Sequence, residues 1–243
     1  MALAALRTMD DVVTLDRNVK GEPSTAMPTT RPGQSSQLQD FVDPGRQLSF
    51  ADFDVPPRPA DRLFFAVFPD ANAATQIAEL TRALVGRHGV TGKPLSPERL
   101  HITLNHLGDY IGLPQGVVAA ATAAGATIDM QAFDVTFDRV MSFSGRRDNL
   151  PIVLRGGEGL AGLMTFQQVL GGAMMKAELG RWVDRRFTPH VTLLYGKGKM
   201  EEETIEPIRW TVREFVLIHS LLGRGQYIPL GRWPLRADGV RLH

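Results

Sequence analysis

Two short segments of the chain share one alternating pattern of apolar and polar residues. Residues 100–104 have the sequence Leu-His-Ile-Thr-Leu, and residues 189–193 have the sequence Pro-His-Val-Thr-Leu. Alternate side chains of a β-strand point to the same face, so each segment predicts a strand that presents an imidazole beside a hydroxyl. The two histidines are 89 positions apart (190 − 101). This spacing is typical of a duplicated strand–helix–strand half, and it is too long for a short solenoid repeat.

Apolar runs and helical periodicity predict the elements around these two segments. Residues 62–68 form a continuous apolar run of strand length, and Asp70 is suited to cap a following helix. Further helices are predicted after Pro114 and over residues 160–177, where leucines recur at helical spacing. The other predicted strands are residues 132–137 with 140–143, 150–154, 215–218, 226–230 and 233–235.

This order of elements indicates an α+β protein with mostly antiparallel sheets flanked by helices. A duplicated half predicts two lobes related by a pseudo-twofold axis. Such lobes place His101 and His190 on the two walls of a central groove.

The first 60 residues differ in composition from the rest of the chain. They contain seven of the sixteen prolines, and residues 20–44 have almost no large apolar side chains. Such a composition does not offset the entropy lost on ordering, so residues 1–60 are predicted to be a Pro-rich, largely disordered arm. Residues 61–243 are predicted to be one domain of two lobes. Neither a signal peptide nor a run of about 18 apolar residues is present, which favours a cytoplasmic monomer without membrane contact.

The net charge and the absence of cysteine exclude several classes of function. The formal net charge is +1, so no overall basic field predicts a long nucleic-acid footprint. Cysteine is absent, which excludes disulfides, a thiolate nucleophile and a cysteine-ligated metal. The spacing around Gly92 and Lys93 does not fit a phosphate-binding loop, because Pro94 follows the lysine.

The repeated histidine–threonine pair allows three chemical interpretations. A zinc site requires three or four ligands at suitable spacing, and two histidines without a neighbouring third ligand disfavour it. A serine hydrolase of the nucleophile-elbow type requires Gly-x-Ser-x-Gly, which is absent. Paired acid–base catalysis without a metal fits, because imidazole titrates near neutrality and one ring can be neutral while the other is protonated. Hydroxyl donors beside the rings suit the oxygens of a phosphate.

The extended motifs resemble those of the 2H phosphoesterases. Residues 100–104 continue into Leu107-Gly108, and Phe187-Thr188-Pro189 precede His190. Within that superfamily the chain is most similar to the 2′-5′ RNA ligase-like, or LigT-type, RNA 2′,3′-cyclic phosphodiesterases. The similarity extends from about Asp61 to Leu235. It implies the bilobal pseudo-twofold fold and no cofactor.

The resemblance also implies a reaction and roles for four residues. The expected substrate is a 2′,3′-cyclic phosphate at an RNA end or on a small nucleotide, opened to a 2′-phosphate, with 2′-5′ RNA ligation as a further activity. His190 corresponds to the base that activates water, and His101 to the acid that protonates the 3′-oxygen. Thr103 and Thr192 correspond to the residues that hold the phosphate.

Several other residues are candidates for substrate contact. Arg185 and Arg186 precede the second motif and can attract a phosphate, while Phe143, Phe187 and Tyr195 can stack on a base. Each is also compatible with an ordinary basic loop or with core packing. His106 stands where the family commonly has an aromatic residue, and its role is open.

Two alternative functions remain at this point. One is a nucleotide-level phosphodiesterase acting on ADP-ribose cyclic phosphate or on 2′-5′ oligoadenylate. The other is a protein that binds RNA or a nucleotide without turnover. Two titratable side chains flanking one phosphate are not needed for binding, which favours an enzyme.

Overall fold

The computed structural model of the protein describes residues 57–145 and 149–237. The predicted N-terminal arm lies outside these residues, apart from residues 57–60. No helix in the described part is long and apolar enough to cross a membrane. The strands are β1 Asp61–Val67, β2 Thr91–Pro94, β3 Ile102–Tyr110, β4 Phe133–Ser142, β5 Leu150–Arg155, β6 Val191–Lys197, β7 Glu203–Val212, β8 Glu214–Leu221 and β9 Gln226–Pro234, and the helices are α1 Ala71–His88, α2 Gln115–Ala126 and α3 Ala161–Lys176.

The described strands form two antiparallel sheets. The four-stranded sheet has the order β3-β1-β8-β9, and the five-stranded sheet has the order β2-β6-β5-β4-β7. The two His-x-Thr segments lead into strands of different sheets, β3 and β6. β3 pairs with β1, and β6 pairs with β5. The predicted bilobal α+β fold is confirmed.

The three predicted helices are present and cover one face of the sheets. The carboxylate of Asp70 accepts a hydrogen bond from the backbone N of Ala73 at 2.8 Å, as expected of the residue that caps α1. α1 packs against β2, β6 and β7, while α3 packs against β4 and β3. The core between helices and sheets contains Leu63, Phe65, Ile152 and Leu154. Because strand side chains alternate, the intervening residues point away from this core.

The face of each sheet that points away from the core is the groove face. In the four-stranded sheet it carries a small separate cluster of Phe64, Ala66, Val216 and Ile218. In the five-stranded sheet it carries Val153, which lies between core residues of β5. Both His-x-Thr strands therefore have one side facing the core and one side facing the groove.

β2 connects the approach to His101 with the second sheet. β2 pairs with β6, and the backbone N of Leu95 donates to the carbonyl oxygen of Leu193 at 2.8 Å. A short 3₁₀ turn, Pro97–Arg99, then leads to His101. The segment before the first histidine is therefore bound to the strand that follows the second.

Two strands differ from the sequence-based expectation. β2 and β7 are not predicted by the hydrophobic pattern, because β2 is exposed at all four residues and β7 contains Pro207. Both are edge strands of the five-stranded sheet, where a residue without an N–H group is tolerated. Residues 226–230 and 233–235, predicted as two short strands, form the single strand β9.

Candidate active site

The two His-x-Thr strands contain a β-bulge at the same position. Leu104 of β3 has no paired residue on β1, and Leu193 of β6 has no paired residue on β5. Each leucine stands three residues after the motif histidine. A bulge shifts the alternation of side chains by one step. The first six residues of β3 and β6 accordingly have the same order of buried and half-buried positions.

Both motif histidines are held by the same kind of hydrogen bond. Nδ1 of His101 donates to the carbonyl oxygen of Arg99 at 2.7 Å, and Nδ1 of His190 donates to that of Thr188 at 2.8 Å. A carbonyl oxygen can only accept, so Nδ1 of each ring carries a proton. Nε2 is therefore the nitrogen at which each ring can take up or release a proton.

The two motif threonines lie on the groove face. Thr103 is paired with Ala66, and Thr192 is paired with Val153. Directly opposed residues of antiparallel strands share a face, so both hydroxyls lie on the side that points away from the core. Both side chains are half-buried. Each lobe thus presents one imidazole and one hydroxyl side by side.

Aromatic rings surround His101. Its ring centroid is 5.1 Å from that of Phe64, 6.0 Å from Phe68 and 5.3 Å from Tyr227, which meets it edge-on at 90°. The guanidinium of Arg99 lies 5.4 Å from the centre of the Tyr227 ring. These contacts fix the plane of the imidazole and reduce its exposure to water.

The surroundings of His190 are different. Phe143 packs edge-on against its ring, with centroids 5.0 Å apart. The guanidinium carbon of Arg155 lies 5.5 Å from the centre of the Phe143 ring. Phe143 therefore contacts both the His190 ring and the Arg155 guanidinium, as Tyr227 contacts both His101 and Arg99.

His106 lies on the groove face five residues after His101. It is paired with Phe64, and its Nε2 is 3.1 Å from Oδ1 of Asp109. Asp109 also accepts two hydrogen bonds from Arg62, at 2.7 and 2.9 Å. Burial alone raises the pKa of Asp109, but the hydrogen bonds from Arg62 and His106 and their charges outweigh it and hold this pKa well below its usual range. The carboxylate is therefore ionised and accepts the Nε2–H of His106.

The remaining sequence-predicted candidates fall in different places. Tyr195 stands five residues after His190, at the position that corresponds to His106, and is paired with Pro151. Phe187 packs against the core. Arg185 and Arg186 are exposed in the loop that precedes His190. The structure therefore brings Phe143 directly to a motif histidine and leaves the two arginines at the surface.

His219 lies on the other side of its sheet. It is paired with the core residue Leu63, and its Nε2 is 2.6 Å from Oδ1 of Asp61. Oδ2 of Asp61 accepts a hydrogen bond from the backbone N of Gly112 at 2.9 Å. This contact joins β1, β8 and the turn after β3, which is a structural role. Within residues 57–145 and 149–237, no three His, Asp or Glu side chains come close enough together to hold a metal ion.

Sequence reasoning did not place Phe68, Arg155 or Tyr227 beside the histidines. The positions of Phe68 and Arg155 can be predicted once it is known which strands pair with β3 and β6. Phe68 directly follows β1 and Arg155 ends β5, and these are the strands that pair with β3 and β6. Tyr227 comes from β9, which is separated from β3 by β1 and β8, so that contact depends on the whole sheet.

Comparison with protein families identifies the class. The chain matches the family described as the 2′-5′ RNA ligase superfamily over residues 68–224, which is well over half of its length. The protein therefore belongs to this superfamily and is a 2H phosphoesterase of the LigT type. Both His-x-Thr segments lie within the matched residues.

Solved structures show the same fold. E. coli LigT in its apo form is 29% identical with a TM-score of 0.56, over 74% of this chain and 99% of LigT. The same protein in complex with 3′-AMP or with phosphate matches at 29% identity and a TM-score of 0.54, over the same shares. A Thermus thermophilus protein, TT0787, is 23% identical with a TM-score of 0.58, over 73% of this chain and 100% of TT0787, and it supports the fold alone. No curated protein sequence matches the chain.

Proposed function

We propose that the protein is a phosphodiesterase that opens 2′,3′-cyclic phosphate ends of RNA or of nucleotides to 2′-phosphates without a metal ion. The observation that carries this proposal is the duplicated geometry of His101 and His190. Each ring has the same protonated Nδ1 and stands beside a threonine on a groove face. Two imidazoles that exchange protons at Nε2 suit an in-line displacement, which needs one base and one acid.

The proposed reaction moves two protons and exchanges one bond to phosphorus. Nε2 of His190 takes a proton from water, and the water oxygen forms a bond to phosphorus. The bond between phosphorus and the 3′-oxygen breaks, and Nε2–H of His101 protonates that oxygen. The product is a 2′-phosphate with a free 3′-hydroxyl. The assignment of base and acid follows the resemblance to the family.

The two threonines have an electrostatic role in this proposal. Their hydroxyls donate to the non-bridging phosphate oxygens, on which negative charge develops as water attacks. Because Thr103 and Thr192 are half-buried on strands, their hydroxyls are already oriented before the substrate binds. Preorganised donors of this kind stabilise the transition state more than the ground state.

The comparisons support a nucleotide phosphate as the ligand. E. coli LigT, to which the chain is similar over nearly all of LigT, has been crystallised with 3′-AMP and with phosphate. A nucleotide monophosphate has the size of the reacting end of an RNA chain. The aromatic surroundings of His101 suit the nucleoside that carries the leaving 3′-oxygen.

The test is a turnover assay in the presence of EDTA. Suitable substrates are RNA with a 2′,3′-cyclic phosphate end, nucleoside 2′,3′-cyclic phosphates, ADP-ribose cyclic phosphate and 2′-5′ oligoadenylate. We expect the cyclic phosphates to give 2′-phosphates, identified by ³¹P NMR, at a rate that EDTA does not change. Loss of turnover in EDTA or formation of 3′-phosphates contradicts the proposal. Binding of the RNA end without turnover identifies a binding protein instead.

The matched variants are His101→Gln and His190→Gln, each alone and combined. We expect each to lower kcat by roughly 10²- to 10⁴-fold, the usual contribution of a general acid or base. Thermal unfolding of each variant controls for loss of the fold. Full activity in the double variant would show that the site lies elsewhere.

A further inference from the structure

Arg155 follows Leu154 and His190 precedes Val191, and Leu154 and Val191 are the last pair between β5 and β6. The pairing of β5 with β6, continued by one residue beyond its last pair, sets Arg155 opposite His190. The same step in the pairing of β1 with β3 sets Phe68 opposite His101, and those two rings are 6.0 Å apart. Opposed residues share a face, so Arg155 lies on the groove face beside His190. The two lobes therefore differ at this equivalent position, with an aromatic ring in one and a cation in the other.

No carboxylate among the described residues is in direct contact with Arg155. Its guanidinium lies over the ring of Phe143, and none of the described residues forms an ion pair or a hydrogen bond with it. Glu202, whose charge acts on Arg155, is bound to Arg139 at 3.5 Å, and Arg139 also binds Asp138 at 3.2 Å. Burial lowers the pKa of Arg155, while Glu202 opposes this shift and Arg139 adds to it. Arginine nevertheless remains cationic at neutral pH, so a half-buried positive charge faces the groove.

Arg155 lies on the side of the site from which the attacking group approaches. In the proposed function, on which this inference rests, the nucleoside with the leaving 3′-oxygen lies at His101 and the attacking group lies at His190. Water, as the attacking group, brings no charge to that side for Arg155 to bind. A nucleotide that attacks through its 5′-hydroxyl carries a 3′-phosphate, which a guanidinium binds through two parallel hydrogen bonds.

We propose that Arg155 is a specificity-determining residue that binds the phosphate of an attacking nucleotide, so that its 5′-hydroxyl competes with water. In this step the 5′-oxygen forms a bond to phosphorus and the bond to the 3′-oxygen breaks. The proton of the 5′-hydroxyl passes to Nε2 of His190, and Nε2–H of His101 protonates the 3′-oxygen. The product is a 2′-5′ phosphodiester. One phosphate ester bond replaces another, so no further reactant is required.

The test compares two acceptors that differ only in the phosphate. Thymidine 3′-phosphate and 3′-deoxythymidine each have the 5′-hydroxyl as their single hydroxyl group. Each is incubated with the wild-type protein and adenosine 2′,3′-cyclic phosphate, and the ratio of 2′-5′-linked product to adenosine 2′-phosphate is measured. We expect the phosphorylated acceptor to give a ratio roughly tenfold to a hundredfold higher, the range for a hydrogen bond to a charged group.

The variants separate Arg155 from general electrostatics. Arg155→Gln should bring the ratios for the two acceptors together, and Arg155→Lys should restore part of the difference. Arg139→Gln is the matched control, because Arg139 is paired with Arg155 on the neighbouring strand and is occupied by two carboxylates. It should leave the ratios as in the wild type. The product ratio is independent of the amount of folded enzyme, and inhibition of hydrolysis by thymidine 3′-phosphate provides a second measurement.

The outcomes distinguish this inference from the proposed function. No opening of the cyclic phosphate by the wild-type protein overturns the proposed function. Hydrolysis with no transfer product, or with equal ratios for the two acceptors, overturns the role of Arg155 alone. The same holds if Arg155→Gln retains the wild-type preference.

Discussion

His101 and His190 carry the same hydrogen bond on the same ring nitrogen. Nδ1 of each donates to the carbonyl oxygen two residues earlier, at 2.7 and 2.8 Å. The two imidazoles therefore do not differ in tautomer. They differ in their aromatic neighbours, which are Phe64, Phe68 and Tyr227 around His101 and Phe143 around His190. A division of roles between acid and base must come from these neighbours.

The first prediction concerns pH. We expect kcat/KM for a nucleoside 2′,3′-cyclic phosphate to follow a bell-shaped profile, because one ring must be neutral and the other protonated. Protonation of the base, His190, lowers the rate on the acidic side, and deprotonation of the acid, His101, lowers it on the alkaline side. Accordingly, His190→Gln should lose the acidic limb and His101→Gln the alkaline limb. A flat profile through neutrality argues against an acid–base pair. If His190→Gln loses the alkaline limb and His101→Gln the acidic limb, His101 is the base and His190 is the acid.

The second prediction concerns the hydroxyls. Thr103→Val and Thr192→Val keep the shape of the side chain and remove the donor. Each should lower kcat by roughly 10²- to 10³-fold, as for removal of one donor to a developing negative charge. The Thr→Ser variants should recover most of the rate. The exposed Thr204 on β7 provides the control Thr204→Val, which should not change kcat. Equal rates in the valine and serine variants exclude a role for the hydroxyls.

The third prediction concerns Asp109, which is bound by Arg62 and His106. Replacing it with Asn should lower the free energy of unfolding at pH 7 by about 3 kcal/mol, because the mostly buried Arg62 loses the carboxylate that accepts two of its hydrogen bonds. The folded-state pKa of Asp109 is depressed, so this stabilisation is present above the unfolded value of about 3.9 and is lost as the pH falls toward the folded value. Urea unfolding at pH 7 and at pH 3 measures the difference.

The control for Asp109 is the exposed Asp129, which pairs with Arg236 at the surface. Asp129→Asn should change stability by no more than about 0.5 kcal/mol at either pH, since exposed ion pairs contribute little. A penalty for Asp109→Asn that is the same at pH 3 as at pH 7 contradicts an electrostatic origin.

Local sequence pattern accounts for most elements of the fold and for the histidine–threonine pairs. The alternation in residues 100–104 and 189–193 is complete within five positions, so it is recognisable without tertiary information. β2 and β7 are different. They are held at the edges of the five-stranded sheet by their neighbours β6 and β4, and their own residues do not favour a buried strand. The N-terminal arm, predicted from composition, stays a prediction.

The neighbours of the histidines depend on strand register, which one sequence does not specify. The pairing of β5 with β6 places Arg155 one residue beyond the pair that precedes His190, and Tyr227 reaches His101 across β1 and β8. The bulges at Leu104 and Leu193 shift the side chains that follow them by one position. Simple alternation from Thr103 therefore places residue 105 on the groove face, whereas the bulge places His106 there.

The fourth prediction links the strand pairing to the site. A Cβ atom on Gly196 would overlap the carbonyl oxygen of Thr91 on β2. Gly196→Ala should therefore separate β2 from β6 and destabilise the protein by about 1–3 kcal/mol, as other overpacked substitutions do. Because β2 leads through Leu95 to His101, kcat/KM should fall as well, at a temperature where the variant is fully folded.

Gly172 in α3 is the matched control for this substitution. A Cβ atom there meets no other atom within 4 Å, so Gly172→Ala should stabilise the helix by about 0.5–1 kcal/mol and leave kcat/KM unchanged. Thermal unfolding and the cyclic-phosphate assay on the same preparations measure both quantities. If Gly196→Ala loses stability but keeps the wild-type kcat/KM, the position of His101 does not depend on β2. The 3₁₀ turn and the aromatic rings around His101 are then sufficient to hold it.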